Sequence, residues 1–124
     1  MTITLFSALV VRKAFDEAVV PAFETATGSE VAAVYDPTVQ LARRVEAGER
    51  FDVLVAATDS LAGFGAAVDL GTATPILRTG IGVAVAGGAP HPDISTTEAL
   101  VRALTKARSV AYSRTGQSGI YFAR

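Results

Sequence analysis

Four stretches of this chain set hydroxyl or carboxylate side chains beside small residues, where an apolar run gives way to a helical pattern. They are Ser7-Ala8, Asp36-Pro37-Thr38, Thr58-Asp59-Ser60 and Ser118-Gly119. A helix start offers free backbone N–H groups and the positive end of the helix dipole. With a hydroxyl beside them, such groups suit a desolvated anion or a small polar ligand without any Lys or Arg. Each stretch alone also reads as an ordinary helix cap, because Ser, Thr and Asp lead the capping preference. Only the convergence of several makes a site. The ligand-binding set read this way is Ser7, Ala8, Thr38, Thr58, Ser118 and Gly119.

Asp36 cuts against a simple anion site, since a carboxylate repels a bound anion. It reads as a cap on its own helix that points away, or as a partner for a cationic ligand group. Asp59 carries the same ambiguity. Other chemistries find little support. The chain has no Cys and one His, which excludes disulfides and thiolates and argues against a zinc site. His91 lies between prolines in Ala89-Pro90-His91-Pro92-Asp93 and reads as an exposed loop residue. Gly80-Ile81-Gly82 lacks the third glycine and the helix of a dinucleotide fingerprint, and Gly63-Phe64-Gly65 is no stronger. Gly116-Gln117-Ser118-Gly119-Ile120 misses the esterase Gly-x-Ser-x-Gly pattern by one position. Tyr112 and Tyr121 read as half-buried packing residues. No acid–base pair asks for an enzyme, and no cofactor or metal is expected.

The elements that would position these residues follow from apolar periodicity. Ile3-Thr4-Leu5-Phe6 reads as a first strand. A helical pattern then runs through Val11, Phe15, Ala18, Val19, Ala22 and Phe23 to a stop at Gly28. Pro21 should kink that helix or begin a second one. Asp16, Glu17 and Glu24 are expected on its wet face. Val31-Ala32-Ala33-Val34-Tyr35 is a second strand, and Asp36-Pro37 reads as a capping carboxylate with Pro at the first helical position. That helix carries Leu41, Ala42 and Val45 and stops at Gly48, with Arg43, Arg44, Glu46, Glu49 and Arg50 as its solvated side. Asp52-Val53-Leu54-Val55-Ala56-Ala57 is a third strand, nearly continuous in apolar residues, as parallel strands are. A short helix through Leu61 and Phe64 comes next. Residues 80–86 are expected as a fourth strand, 87–93 as a loop, Ser95-Thr96-Thr97-Glu98 as a capping box, and 109–112 as a fifth strand. This alternation gives an α/β fold with a parallel or mixed sheet and helices on both faces. In a parallel sheet the strand ends share an edge, so the first three junctions should meet.

Composition sets the outer limits. At 124 residues, 50% hydrophobic and net charge −1, the chain can bury one core and carries no clustered basic footprint for nucleic acid. No apolar run approaches a membrane span of about 20 residues. Met1-Thr2-Ile3 lacks a basic leader region and enters a strand at once, which reads as a cytoplasmic chain if native as written.

The order of these segments resembles type 2 periplasmic solute-binding proteins, most closely the molybdate-binding-like branch. The resemblance rests on residues 3–8, Pro21-Ala22-Phe23-Glu24-Thr25-Ala26-Thr27-Gly28 and Val45-Glu46-Ala47-Gly48-Glu49-Arg50-Phe51-Asp52-Val53. It continues through Gly80-Ile81-Gly82-Val83-Ala84-Val85, Asp93-Ile94-Ser95-Thr96-Thr97-Glu98-Ala99-Leu100 and Ser118-Gly119-Ile120-Tyr121-Phe122. It implies two α/β lobes around a cleft, a small polar or oxyanion ligand such as molybdate, an ABC permease as partner and a periplasmic location. Residues 1–86 would form the first lobe, and 87–124 the crossover and start of an incomplete second lobe. Thr38 takes the hydroxyl position after strand two, and Ser118-Gly119 looks like a second-lobe contact. The family's serine after strand one falls near Val10, and its small polar residues after strand two become Asp36-Pro37. The family also continues for about another lobe. The missing elements should leave apolar faces exposed, which predicts association with another chain or poor solubility. The alternatives are a cytoplasmic ligand-sensing effector domain and a truncated paralogue that only oligomerises.

Overall fold

β1 (Thr2–Ser7) is the middle strand of a three-stranded parallel sheet of order β2-β1-β3. It pairs with β2 (Glu30–Tyr35) from Thr2↔Glu30 to Ser7↔Tyr35, and with β3 (Val53–Val55) from Leu5↔Val53 to Ser7↔Val55. The computed structural model describes residues 1–124. It divides into two units, Met1–Ile76 with Ser113–Arg124, and Leu77–Tyr112. The sequence reading places its boundary at Ala86 and assigns residues 87–124 to a second lobe. The observed division returns Ser113–Arg124 to the unit that holds the sheet.

Between β1 and β2 the chain winds continuously but not uniformly. A 3-10 turn (Leu9–Val11) leads into α1 (Arg12–Ala14), a π-helical stretch (Phe15–Val19) and α2 (Val20–Thr27). The Val20 N–H donates to the Phe15 carbonyl, five residues back, and Pro21, which has no N–H to give, sits in the first turn of α2. The helix stops at Gly28, whose φ of 70° is the left-handed geometry that glycine adopts without strain. Glu24 is not on the wet face. Its Oε1 accepts from the Val31 N–H at 2.8 Å, which ties α2 to the start of β2.

α3 (Thr38–Glu46) joins β2 to β3 and packs against β1 on the opposite face. The reversal from β1→β2 to β2→β3 explains the change of face, since parallel crossovers keep one hand. Phe6, Leu41 and Phe64 form the core there, with Leu41 fully buried, and Val34 and Leu54 pack around them. Phe6 stacks on Phe51 at 5.3 Å between ring centroids. That pair adds about 0.5–1.5 kcal/mol beyond the area it buries. Leu5, Ala33 and Tyr35 alternate to the other face, where α2 packs on β2. A 3-10 segment (Thr58–Ala67), broken at Gly65, replaces the short helix expected after β3 and brings Phe64 into the core.

The expected fourth and fifth strands do not form. Residues 80–86 and 109–112 belong to no strand, and Ile81, Val83, Val85, Val110 and Tyr112 are exposed. Leu77–Tyr112 is instead organised by α4 (Thr97–Lys106). Its cap lies one residue later than the sequence suggests: Thr96, not Ser95, accepts from the Ala99 N–H at 3.1 Å. Ser95 serves Asp93, giving its hydroxyl at 2.6 Å and its N–H at 3.0 Å. These bonds, the hydroxyl's first, hold the Asp93 carboxyl below its usual range. α5 (Gln117–Phe122) closes the chain.

Candidate functional site

The three strand ends meet as a parallel sheet requires. The Ala8 N–H donates to the Val55 carbonyl at 2.8 Å and the Asp36 N–H to the Ser7 carbonyl at 3.2 Å, so the main chain at Ser7-Ala8, Asp36 and Val55 shares one edge. The connection after β1 leaves over one face. The connection after β3 leaves over the other, because Phe64 joins Leu41 in the core. Connections that diverge from neighbouring strands open a crevice at their carboxyl ends, the usual ligand position in open α/β sheets.

Thr38 is the most telling residue on that edge. It opens α3, is 6% exposed, and its Oγ1 is shut from solvent with no hydrogen-bond partner. The predicted cap geometry is off by one. Pro37 is the N-cap, Thr38 the first helical residue, and no side chain caps the helix. The Gln40 and Leu41 N–H groups both go to the Pro37 carbonyl, at 2.8 and 3.1 Å. The amides of Thr38 and Val39 therefore point out of the helix without acceptors.

Asp36 explains the shift. Its Oδ2 accepts from Arg44 Nε at 2.8 Å, and Arg44 Nη1 also holds Glu49 at 3.1 Å. These hydrogen bonds, Asp36's first, push the Arg44 pKa further up. The pairing turns Asp36 along the outer side of α3, where Asp36, Gln40, Arg43 and Arg44 line an open hollow of about 390 Å³. Its charge is thereby offset before it can repel an anion at the helix start.

The other sequence candidates are placed unevenly. Ser7 is fully buried, and its hydroxyl donates to the Ala8 carbonyl at 3.1 Å, beneath the edge rather than on it. Ala8 is half-buried, and its N–H is consumed by β3. Thr58 is exposed at the start of its 3-10 segment, and neighbouring Asp59 pairs with Arg124 at 3.6 Å. Ser118 is exposed on α5. Gly119 is buried against the Ser113 backbone, where a Cβ would collide with the Ser113 carbonyl. Its lack of a side chain is needed for packing.

A cluster that the candidate set does not include flanks the end of β2. The Arg12 guanidinium lies 5.5 Å from the centroid of the Tyr35 ring, and its Nε meets Asp16 at 3.5 Å. The Tyr35 hydroxyl is closed to solvent and makes no hydrogen bond. Burial, then the nearby Asp16 carboxylate, push its pKa up to about 12. The i,i+4 spacing of Arg12 and Asp16 is visible in the sequence; their meeting with Tyr35 needs the β1–β2 register. No group of His, Cys, Asp or Glu is placed to hold a metal ion.

Comparison with known proteins fits this architecture. No solved structure gives a significant match. A protein named aconitate isomerase, from a Pseudomonas species, is 36% identical over 119 residues, which covers 86% of this chain and 43% of that protein. The chain thus spans less than half the length of that relative. A family description, bacterial extracellular solute-binding protein, matches residues 3–124. With a parallel α/β sheet and a match over almost its whole length, the chain belongs to the bacterial extracellular solute-binding proteins.

Proposed function

We propose that this chain holds a small, multiply charged anion at the carboxyl edge of its sheet, as part of a carrier that delivers the solute to an ABC permease. The observation that carries this reading is the buried, unpartnered Oγ1 of Thr38 beside the uncapped amides of Thr38 and Val39. A buried hydroxyl left without a partner costs about 1–3 kcal/mol, and an anion accepting from it and from both amides would recover that cost. Carboxylates and tetrahedral oxyanions such as molybdate share the required chemistry. The relative named aconitate isomerase favours the carboxylates. A periplasmic setting and association of copies through exposed apolar faces belong to the same proposal.

Isothermal titration against molybdate, tungstate, sulfate and a series of mono-, di- and tricarboxylates is the test. Saturable heat with one of these classes is expected. No heat with any of them would overturn the reading. A second reading, conversion of a tricarboxylate rather than its carriage, rests on the same relative. Incubation with either isomer of aconitate, followed by chromatography, decides it: appearance of the other isomer would replace carriage with catalysis.

A further inference from the structure

We propose that Arg12 is the ligand-contact residue that makes this edge select anions bearing two or more charged groups over single-headed ones. The inference deepens the proposed function and rests on it. Arg12 begins α1, four residues beyond Ala8, so the winding that leaves β1 carries its guanidinium back to the sheet's carboxyl edge. The Ser7↔Tyr35 pairing puts the Tyr35 ring under that helix, and the guanidinium settles over the ring at 5.5 Å. An arginine stacked on an aromatic face is oriented without being neutralised.

The one carboxylate in contact with Arg12 leaves most of its fork free. Asp16 meets Nε alone, at 3.5 Å, and neither terminal nitrogen has a partner. Those two nitrogens form the edge that grips a carboxylate through parallel hydrogen bonds. The side chain is 62% exposed, so a ligand can reach it. Asp36, the other carboxylate at this strand end, is occupied by Arg44.

Tyr35, on which Arg12 rests, and Thr38, which opens α3, lie three residues apart. Their Cα atoms are thus at most about 11 Å from each other. The end of β2 is flanked on one side by unpartnered N–H and O–H donors and on the other by a half-free cation. A single-headed oxyanion satisfies only the first. A polycarboxylate can place one head at the start of α3 and a second against Arg12.

The experiment is a calorimetric titration of wild type, Arg12→Gln, Arg12→Lys and Asp16→Asn with propane-1,2,3-tricarboxylate, acetate and sulfate. Unchanged circular dichroism and melting temperature serve as the folding control. Wild type should bind the tricarboxylate about tenfold or more tighter than acetate or sulfate. Arg12→Gln should lose about that factor for the tricarboxylate only. Arg12→Lys, a point charge without the fork, should fall between, and Asp16→Asn, which frees Nε, should bind more tightly. Equal loss for all three anions would reduce Arg12 to a structural role. Tricarboxylate binding unaltered in Arg12→Gln would overturn this inference and leave the proposed function standing. Wild type silent toward every anion would remove both.

Discussion

Replacing Thr38 with valine should move stability and binding in opposite directions. The residue is 6% exposed, and its Oγ1 has no hydrogen-bond partner. Valine keeps the branched shape, and its helix propensity is close to that of threonine, so neither packing nor winding should object. An unsatisfied buried hydroxyl costs about 1–3 kcal/mol. Removing it should therefore return about 1 kcal/mol or more to the unliganded protein, a rise of about 4–8 °C in melting temperature for a small domain. A hydrogen bond from the same hydroxyl to an anion contributes about 1.5–3 kcal/mol, so affinity should fall roughly ten- to a hundredfold. Differential scanning calorimetry with and without the tightest-binding anion reads both effects in one sample. Two results would refute the reasoning. A destabilised Thr38→Val variant would mean that the hydroxyl is satisfied in the free state. Unchanged affinity would mean that it does not face the ligand.

Three further outcomes follow from the packing. Leu41→Ala empties the fully buried centre of the Phe6–Leu41–Phe64 cluster and should cost about 2–5 kcal/mol in urea unfolding; a loss below about 1 kcal/mol would contradict a core centred there. Gly119→Ala sets a methyl against the Ser113 carbonyl, so amide exchange at Ile120 and Ala123 should accelerate while the β1 amides hold their protection. Tyr35 should ionise late, near pH 12, in an alkaline absorbance titration. Its folded pKa is raised, so its contribution to stability is complete below about pH 10 and is lost as pH rises through about 12. Tyr35→Phe should abolish that late step.

The strands and helices of the sheet-bearing unit were legible because local signals agree there. The helical patterns before β2 and β3 end at Gly28 and at Gly48, and both glycines adopt positive φ. Residues 80–86 carry the same signature and form no strand. A strand is a relation between neighbours, and within Leu77–Tyr112 no other segment supplies the ladder its N–H and C=O groups need. The edge itself was also legible, since parallel order follows from alternation of strand and helix. The roles along it were less so. Asp36 looked like a cap because its partner Arg44 lies eight residues away, two turns along a helix whose start had first to be placed. Ser7 has the right side chain in the right stretch, but the parity of β1 turns it under the following helix. Arg12 was hidden for the same kind of reason: what it stacks on is fixed by strand register, which composition does not encode.

The central place of β1 also has a consequence for how the chain is made. β1 leaves the ribosome before either of its partners exists, and its second neighbour is complete only at Val55. At about 5–20 residues per second, that interval lasts on the order of seconds. Throughout it, Leu5 and Phe6 stand in water with no sheet to enter. A nascent-chain binder that recognises short apolar segments could hold this strand before its sheet can form, and synonymous codons that slow translation between Ser7 and Val55 would lengthen its exposure.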